Sequence, residues 1–126
     1  QVLLVDCHSM PTTATAHLTP AVTRTVDVVL GDRYGAACNE ELADSVEERL
    51  RSRGLNVLRN KPYAGGFITQ NHGAPQRGHH ALQIEINRAV YLDESTCEPG
   101  LGFARLRDDL SGFAQAAAGA MAAGAA

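Results

Sequence analysis

Over residues 80–88, HALQIEINR, apolar and polar side chains alternate: Leu82, Ile84 and Ile86 against Gln83, Glu85 and Asn87. A period of two belongs to a β-strand, and it sends the two sets to opposite faces of a sheet. One face is then buried on a core while the other carries an amide, a carboxylate and an amide in a row. A strand facing solvent alternates too. Solvated strand faces, however, favour Lys, Thr or Arg, and Asn is disfavoured in strands. The row Gln83–Glu85–Asn87 therefore reads as the floor of a polar site, with Glu85 placed to act as a general base. Arg88 ends the segment and is of the type that grips a carboxylate with two hydrogen bonds; a surface ion pair is the alternative.

The rest of the chain supplies a framework for such a strand. Residues 2–6 (VLLVD) read as a strand buried on both faces, with function at its C-terminal end. Residues 25–30 (TVDVVL) and 55–59 (LNVLR) read as two more strands. Between these two lies the clearest helix, residues 40–53. Asn39 is its N-cap, Glu40 and Glu41 suit its positive end, and Leu42, Ala43, Val46 and Leu50 share one face. Arg51 and Arg53 fall in its last turn and Gly54 just past it. A second helix is expected from about Leu101 to Ala118. Residues 12–23 and 61–78 read as loops, and residues 119–126 as a low-complexity Ala/Gly tail that frays. Strand, strand, helix, strand, strand, helix predicts an α/β fold with a mixed, largely parallel sheet flanked by helices.

Composition narrows the function. The 126 residues suit one domain, placed at residues 1–118, and the net charge of −3 gives no attraction to nucleic acid or anionic membrane. No apolar run is long enough for a membrane span, and no signal-peptide pattern is present. Cys7, Cys38 and Cys97 fit neither a zinc finger nor a disulfide framework, so a reducing cytoplasm is the expected location. The opening QVLLVDCH reads as a strand already under way, and a partial domain that begins inside a larger fold is expected.

Other segments carry chemistry. His8, in Asp6-Cys7-His8-Ser9, follows the first strand, where active sites of α/β sheets gather. It is of the type that ligates a divalent metal; a hydrogen-bonded structural histidine is the alternative. If the strand continues, Asp6 shares its face and orients the ring. Cys7 and Ser9 are poor nucleophile candidates: Cys7 faces away from His8, and Ser9 lacks a nucleophile elbow. Ser9 is taken as a supporting residue behind His8. The loop NKPYAGGFIT-QNHG has paired glycines that admit close backbone approach. Tyr63, Thr69 and His72 are its hydrogen-bonding candidates. The turn Asp32-Arg33-Tyr34-Gly35 adds a further cation in Arg33.

In order, DCHSMP, GDRYGAAC, NKPYAGGFIT followed by HG-x-P-x-x-G, and ALQIEINRAVYLDE resemble the N-formylglutamate amidohydrolase family over about residues 2–94. The resemblance implies a fold similar to zinc carboxypeptidases and acyl-amino-acid hydrolases, a phosphorylase/hydrolase-like α/β architecture. It implies hydrolysis of N-formyl-L-glutamate to formate and L-glutamate, a late step of histidine degradation, with a small-molecule substrate. It implies a divalent metal, expected to be Zn²⁺, with His8 as one ligand and Glu85 as the catalytic carboxylate. The expected substrate-binding set is Arg88, Arg33, Asn87, Gln83, Thr69, His72 and Tyr63, supported by Asp6 and Ser9. Members are about twice this length, so a missing N-terminal half is the expected partner and the source of the other metal ligands. The alternatives are hydrolysis of another N-acyl amino acid or short peptide, and a non-catalytic binding domain on the same fold.

Overall fold

The computed structural model describes residues 1–18 and 24–123, with side chains described as far as residue 119. Four strands form one sheet: β1 (Val2–Met10), β2 (Val28–Gly31), β3 (Val57–Arg59) and β4 (His79–Asn87), in the order β1-β4-β2-β3. β1 runs parallel to β4 and β2 parallel to β3, while β2 and β4 are antiparallel. The sheet is mixed and largely parallel, as the sequence predicts.

The alternation in β4 sorts the two faces. Leu82, Ile84 and Ile86 join Val28, Leu30 and Val57 in the main core, with Leu3 and Val5 packed against it. Two helices cover that face. The first is α1 (Glu40–Ser52), which buries Ala43, Val46 and Leu50. The last is α3 (Phe103–Ala123), which contributes Leu106 and Phe113. Each such aliphatic or aromatic side chain contributes about 1.5–3 kcal/mol by leaving water. The caps of α1 follow the sequence: the Asn39 side chain accepts from the Leu42 amide at 3.2 Å, and Gly54 takes φ 83°. The opposite face carries a smaller cluster, Met10, Val26 and Val29, beside the polar row.

Three elements differ from expectation. β1 continues four residues past Asp6, because it pairs residue by residue with β4 from Val2↔His79 to Met10↔Asn87. A ladder formed with a distant strand overrides the weak strand preference of DCHSM. The loop 61–78 contains a short helix, α2 (Phe67–His72), and a 3₁₀ turn at Pro75–Arg77. Six residues are too few to show helical periodicity in sequence. α3 runs to Ala123, past its expected end at Ala118, consistent with alanine's helix preference. Residues 19–23 of the first loop and 124–126 of the tail lie outside the described residues. Among the described residues no helix is long and apolar enough to cross a membrane.

Candidate active site

The β1–β4 register brings two sequence-distant segments side by side. His8 pairs with Glu85, Asp6 with Gln83 and Met10 with Asn87. Neighbouring strands lie about 4.8 Å apart, and residues paired in a parallel ladder project to the same face. Asp6, His8, Gln83 and Glu85 thus form one polar patch on the face that α1 and α3 leave uncovered.

Within it, each charged group has a named partner. Nε2 of His8 lies 3.0 Å from Oδ2 of Asp6, and the imidazole is 48 % exposed. With Asp6 ionised, Nε2 donates and Nδ1 keeps its lone pair for another partner. Glu85 is buried, at 8 % exposure. Its Oε1 accepts a 2.8 Å bond from Nε2 of Gln83. Oε1 of Gln83 in turn accepts from the backbone amide of Gly66 at 2.8 Å. The Gly66 amide, the Gln83 carboxamide and the Glu85 carboxylate are therefore linked in series. Oε2 of Glu85 accepts no bond among the described residues and is not sealed from solvent.

The wall of the patch is the segment 60–72, held by the turn after β2. The Arg33 amide donates to the Ala64 carbonyl at 2.7 Å, and Nη1 of Arg33 to the Gly65 carbonyl at 3.2 Å. A Cβ at Gly31 would stand 2.6 Å from both the Ala64 carbonyl carbon and the Gly65 nitrogen, so only glycine lets the two backbones meet. Gly65 itself has φ 115° and lies against the side chains of Thr69 and Arg33.

The remaining sequence candidates fall in different places. Arg33 is half-buried beside the loop that carries Gly66. Asn87 is fully buried, and its carboxamide is committed: Oδ1 accepts from the Thr12 hydroxyl at 2.9 Å and the Ala89 amide at 3.1 Å, and Nδ2 donates to the Val26 carbonyl at 2.9 Å. Thr69 is buried and its hydroxyl donates to the Gly66 carbonyl at 2.8 Å. Tyr63 packs against the Met10–Val26–Val29 cluster. His72 ends α2 at the surface, its ring 3.4 Å from the Asn71 amide. Ser9 points to the face of α3 by the alternation of β1, and Arg88, the first residue of the 3₁₀ turn that follows β4, donates from Nε to the Ser9 hydroxyl at 3.3 Å. Cys7 also lies on that face, and burial, with the Asp6 charge adding, pushes its thiol pKa up.

Sequence reasoning passed over three residues. Gly66 was legible only as half of a glycine pair open to a ligand; its amide instead holds a protein side chain. Asp32 and Asn60, both buried, bond each other twice at the root of the loop. Both lie inside segments that carry the family resemblance, GDRYGAAC and NKPYAGGFIT, but no site role was read for either.

A metal fits this patch only in part. An imidazole backed by a carboxylate is the chemistry of a ligating histidine. A catalytic zinc takes three protein ligands. Among the described residues no three His, Cys, Asp or Glu side chains come together to hold an ion.

The family model of N-formylglutamate amidohydrolase matches residues 1–92. The chain is 34 % identical over 93 residues to N-formylglutamate deformylase of Pseudomonas aeruginosa, covering 73 % of this chain and 34 % of that protein. It is 31 % identical over 70 residues to N-formylglutamate deformylase of Pseudomonas putida, covering 55 % of this chain and 26 % of that protein. The crystal structure of N-formylglutamate amidohydrolase from Ralstonia eutropha JMP134 superposes with a TM-score of 0.75 at 43 % identity, over 84 % of this chain and 38 % of that one. The chain spans about a third of the length of the P. aeruginosa deformylase and the R. eutropha amidohydrolase, and about a quarter of the P. putida one.

Proposed function

Because this chain belongs to the N-formylglutamate amidohydrolase family, we propose that it carries the general-base portion of a site that hydrolyses N-formyl-L-glutamate to formate and L-glutamate. The observation that supports this most is the pairing of the buried, Gln83-held Glu85 with the Asp6-backed His8 across one parallel ladder. It unites a fixed proton acceptor and an imidazole in one patch, as amide hydrolysis requires.

In this reading Glu85 removes a proton from water as the oxygen attacks the formyl carbon. It then returns the proton to the amine nitrogen as the C–N bond breaks, which releases formate and glutamate. Gln83 holds one carboxylate oxygen, so the free Oε2 faces the water. His8 would be one ligand to a divalent metal, taken as Zn²⁺, with the other ligands supplied by parts of the family fold that this chain does not span; such a metal would supply Lewis-acid polarisation of the formyl oxygen. Arg33, half-buried beside the loop that carries Gly66, grips a substrate carboxylate; the Arg88 guanidinium is engaged with the Ser9 hydroxyl. The reaction serves a late step of histidine degradation, and three free cysteines fit a reducing cytoplasm.

The test is substrate profiling of the whole protein that contains this chain, with N-formyl-L-glutamate, N-acetyl-L-glutamate and N-formyl-L-methionine. Selective formate release from the first is expected. Equal or better turnover of either of the others would remove the substrate assignment.

A further inference from the structure

We propose that the buried Asp32–Asn60 pair is the positioning device for Glu85, acting through the loop that carries Gly66. This inference rests on the reading of Glu85 as the general base. The pair is reciprocal: the Asp32 amide donates to Oδ1 of Asn60 at 3.1 Å, and Nδ2 of Asn60 donates to Oδ1 of Asp32 at 2.7 Å. Both side chains are buried, Asp32 at 3 % and Asn60 at 7 % exposure. Nη1 of Arg59 stands 3.9 Å from Oδ2 of Asp32, so the carboxylate is also charge-compensated.

The pair does more than satisfy itself. Asn60 sits at φ 61°, a left-handed conformation that Asn tolerates better than most residues but that still needs support. Arg33 and Tyr34, directly after Asp32, are also left-handed, at φ 55° and 56°. Non-glycine residues hold such backbone only where their surroundings over-determine it, and functional loops are where they gather. Here the surroundings are the two segments themselves. The Asn60 amide donates to the Leu30 carbonyl at 2.7 Å, and the Tyr34 hydroxyl to the Asn60 carbonyl at 3.3 Å. Arg33 takes hold of Ala64 and Gly65 from the same turn.

The two strained turns thus brace each other along residues 60–65. The next residue is Gly66, whose amide fixes Gln83 and through it Glu85. No other hydrogen bond to Oε1 of the Gln83 side chain is present among the described residues, so the orientation of the carboxylate depends on where this loop is held. Asp32 and Asn60 are positioning residues in this sense; neither touches Glu85.

The test uses Asn60→Gly, which permits the left-handed backbone but deletes the carboxamide, alongside Asn60→Ala. In NMR of this chain the expected result for Asn60→Gly is faster exchange of the Gly66 amide, by about tenfold or more, and a shifted Gln83 carboxamide. Unchanged Phe113 and Leu82 signals report an intact core. In the whole protein the same variant lowers kcat about tenfold with KM within about twofold, since small misplacement of a reacting group acts on the chemical step. A folded Asn60→Gly protein with wild-type Gly66 and Gln83 signals overturns the proposal, and so does a change confined to KM. If Asn60→Ala fails to fold, the glycine variant alone decides. Full activity of a Glu85→Gln protein would instead overturn the function and leave the loop result standing, so the two failures are distinguishable.

Discussion

Glu85 and His8 stand directly opposite each other on β4 and β1, in register, on the one sheet face that the long helices leave free. They are separated by 77 positions in sequence and by one strand spacing in the fold. Each has its own orienting neighbour two residues earlier on the same strand: Gln83 for Glu85 and Asp6 for His8. Two parallel strands carrying the same x–2 arrangement give a patch in which both groups are fixed before any ligand arrives.

The Asp6 partner is the first consequence to measure. Asp6→Asn keeps the size of the side chain but removes the charge that holds Nε2 of His8. Partners of this kind are worth about 10–100-fold in metal affinity or activity. Zinc competition titration of the whole protein should show a loss of that order. Unchanged affinity with unchanged turnover would mean that the Asp6–His8 pair is structural only.

Gln83 joins the backbone amide of the exposed Gly66, through a half-buried bond, to the buried Glu85 carboxylate. Gln83→Leu leaves both without a partner, at a cost of about 1–3 kcal/mol. Urea unfolding of this chain should show that loss as a lower midpoint with an unchanged slope. A variant as stable as wild type would show that the Gly66–Gln83–Glu85 series adds no net stability to the fold.

How far this site was legible in sequence differs from residue to residue. The face of Glu85 followed from alternation alone, and the shared face of Asp6 and His8 needed only that β1 continue. Arg88 falls one residue past the end of β4, in a 3₁₀ turn, so alternation does not assign its face, and its bond to Ser9 was not legible in sequence. The register of β1 on β4 joins residues far apart in the chain, and no local pattern encodes it. The Gly66–Gln83 bond depends on the pairing of β2 with β4, which sets Gly31 opposite Gln83, and on a six-residue helix too short to announce itself. The fold class was readable because α1 has clear caps and a clear apolar face, which local physics sets.

Acid should weaken the fold through His80. This buried ring accepts from the Asn39 amide at 3.3 Å through Nδ1. Burial above all, with His79 adding, holds its pKa below the ordinary value of 6.5. The folded state therefore resists a proton that the unfolded chain accepts. Stability should be level above pH 6.5 and fall below it, until the depressed folded pKa is reached. His80→Gln retains an acceptor without titrating, and should flatten this limb in urea unfolding between pH 8 and 5. An identical acid limb in the variant would assign the effect to other groups.

Thiol reagents separate amide hydrolysis by Glu85 from cysteine chemistry. Cys38 is buried, and burial, with Asp32 adding, pushes its pKa up to about 11; Cys7 and Cys97 are both exposed, but the Cys7 thiol is raised by partial desolvation and the Asp6 charge. The thiolate is the reactive form, so alkylation near pH 7.5 should mark Cys97 first and leave formate release intact. Fast labelling of Cys7 with parallel loss of activity would favour a thiol nucleophile.

The central claim is that Glu85 moves the proton, and Glu85→Gln tests it most directly. Glutamine nearly matches glutamate in shape and can still pair with Gln83, so the protein should fold and bind N-formyl-L-glutamate with little change in KM. Formate release by the whole protein should fall by about 10²–10⁴-fold, the usual contribution of a positioned acid–base group. Activity within a few-fold of wild type would contradict the account.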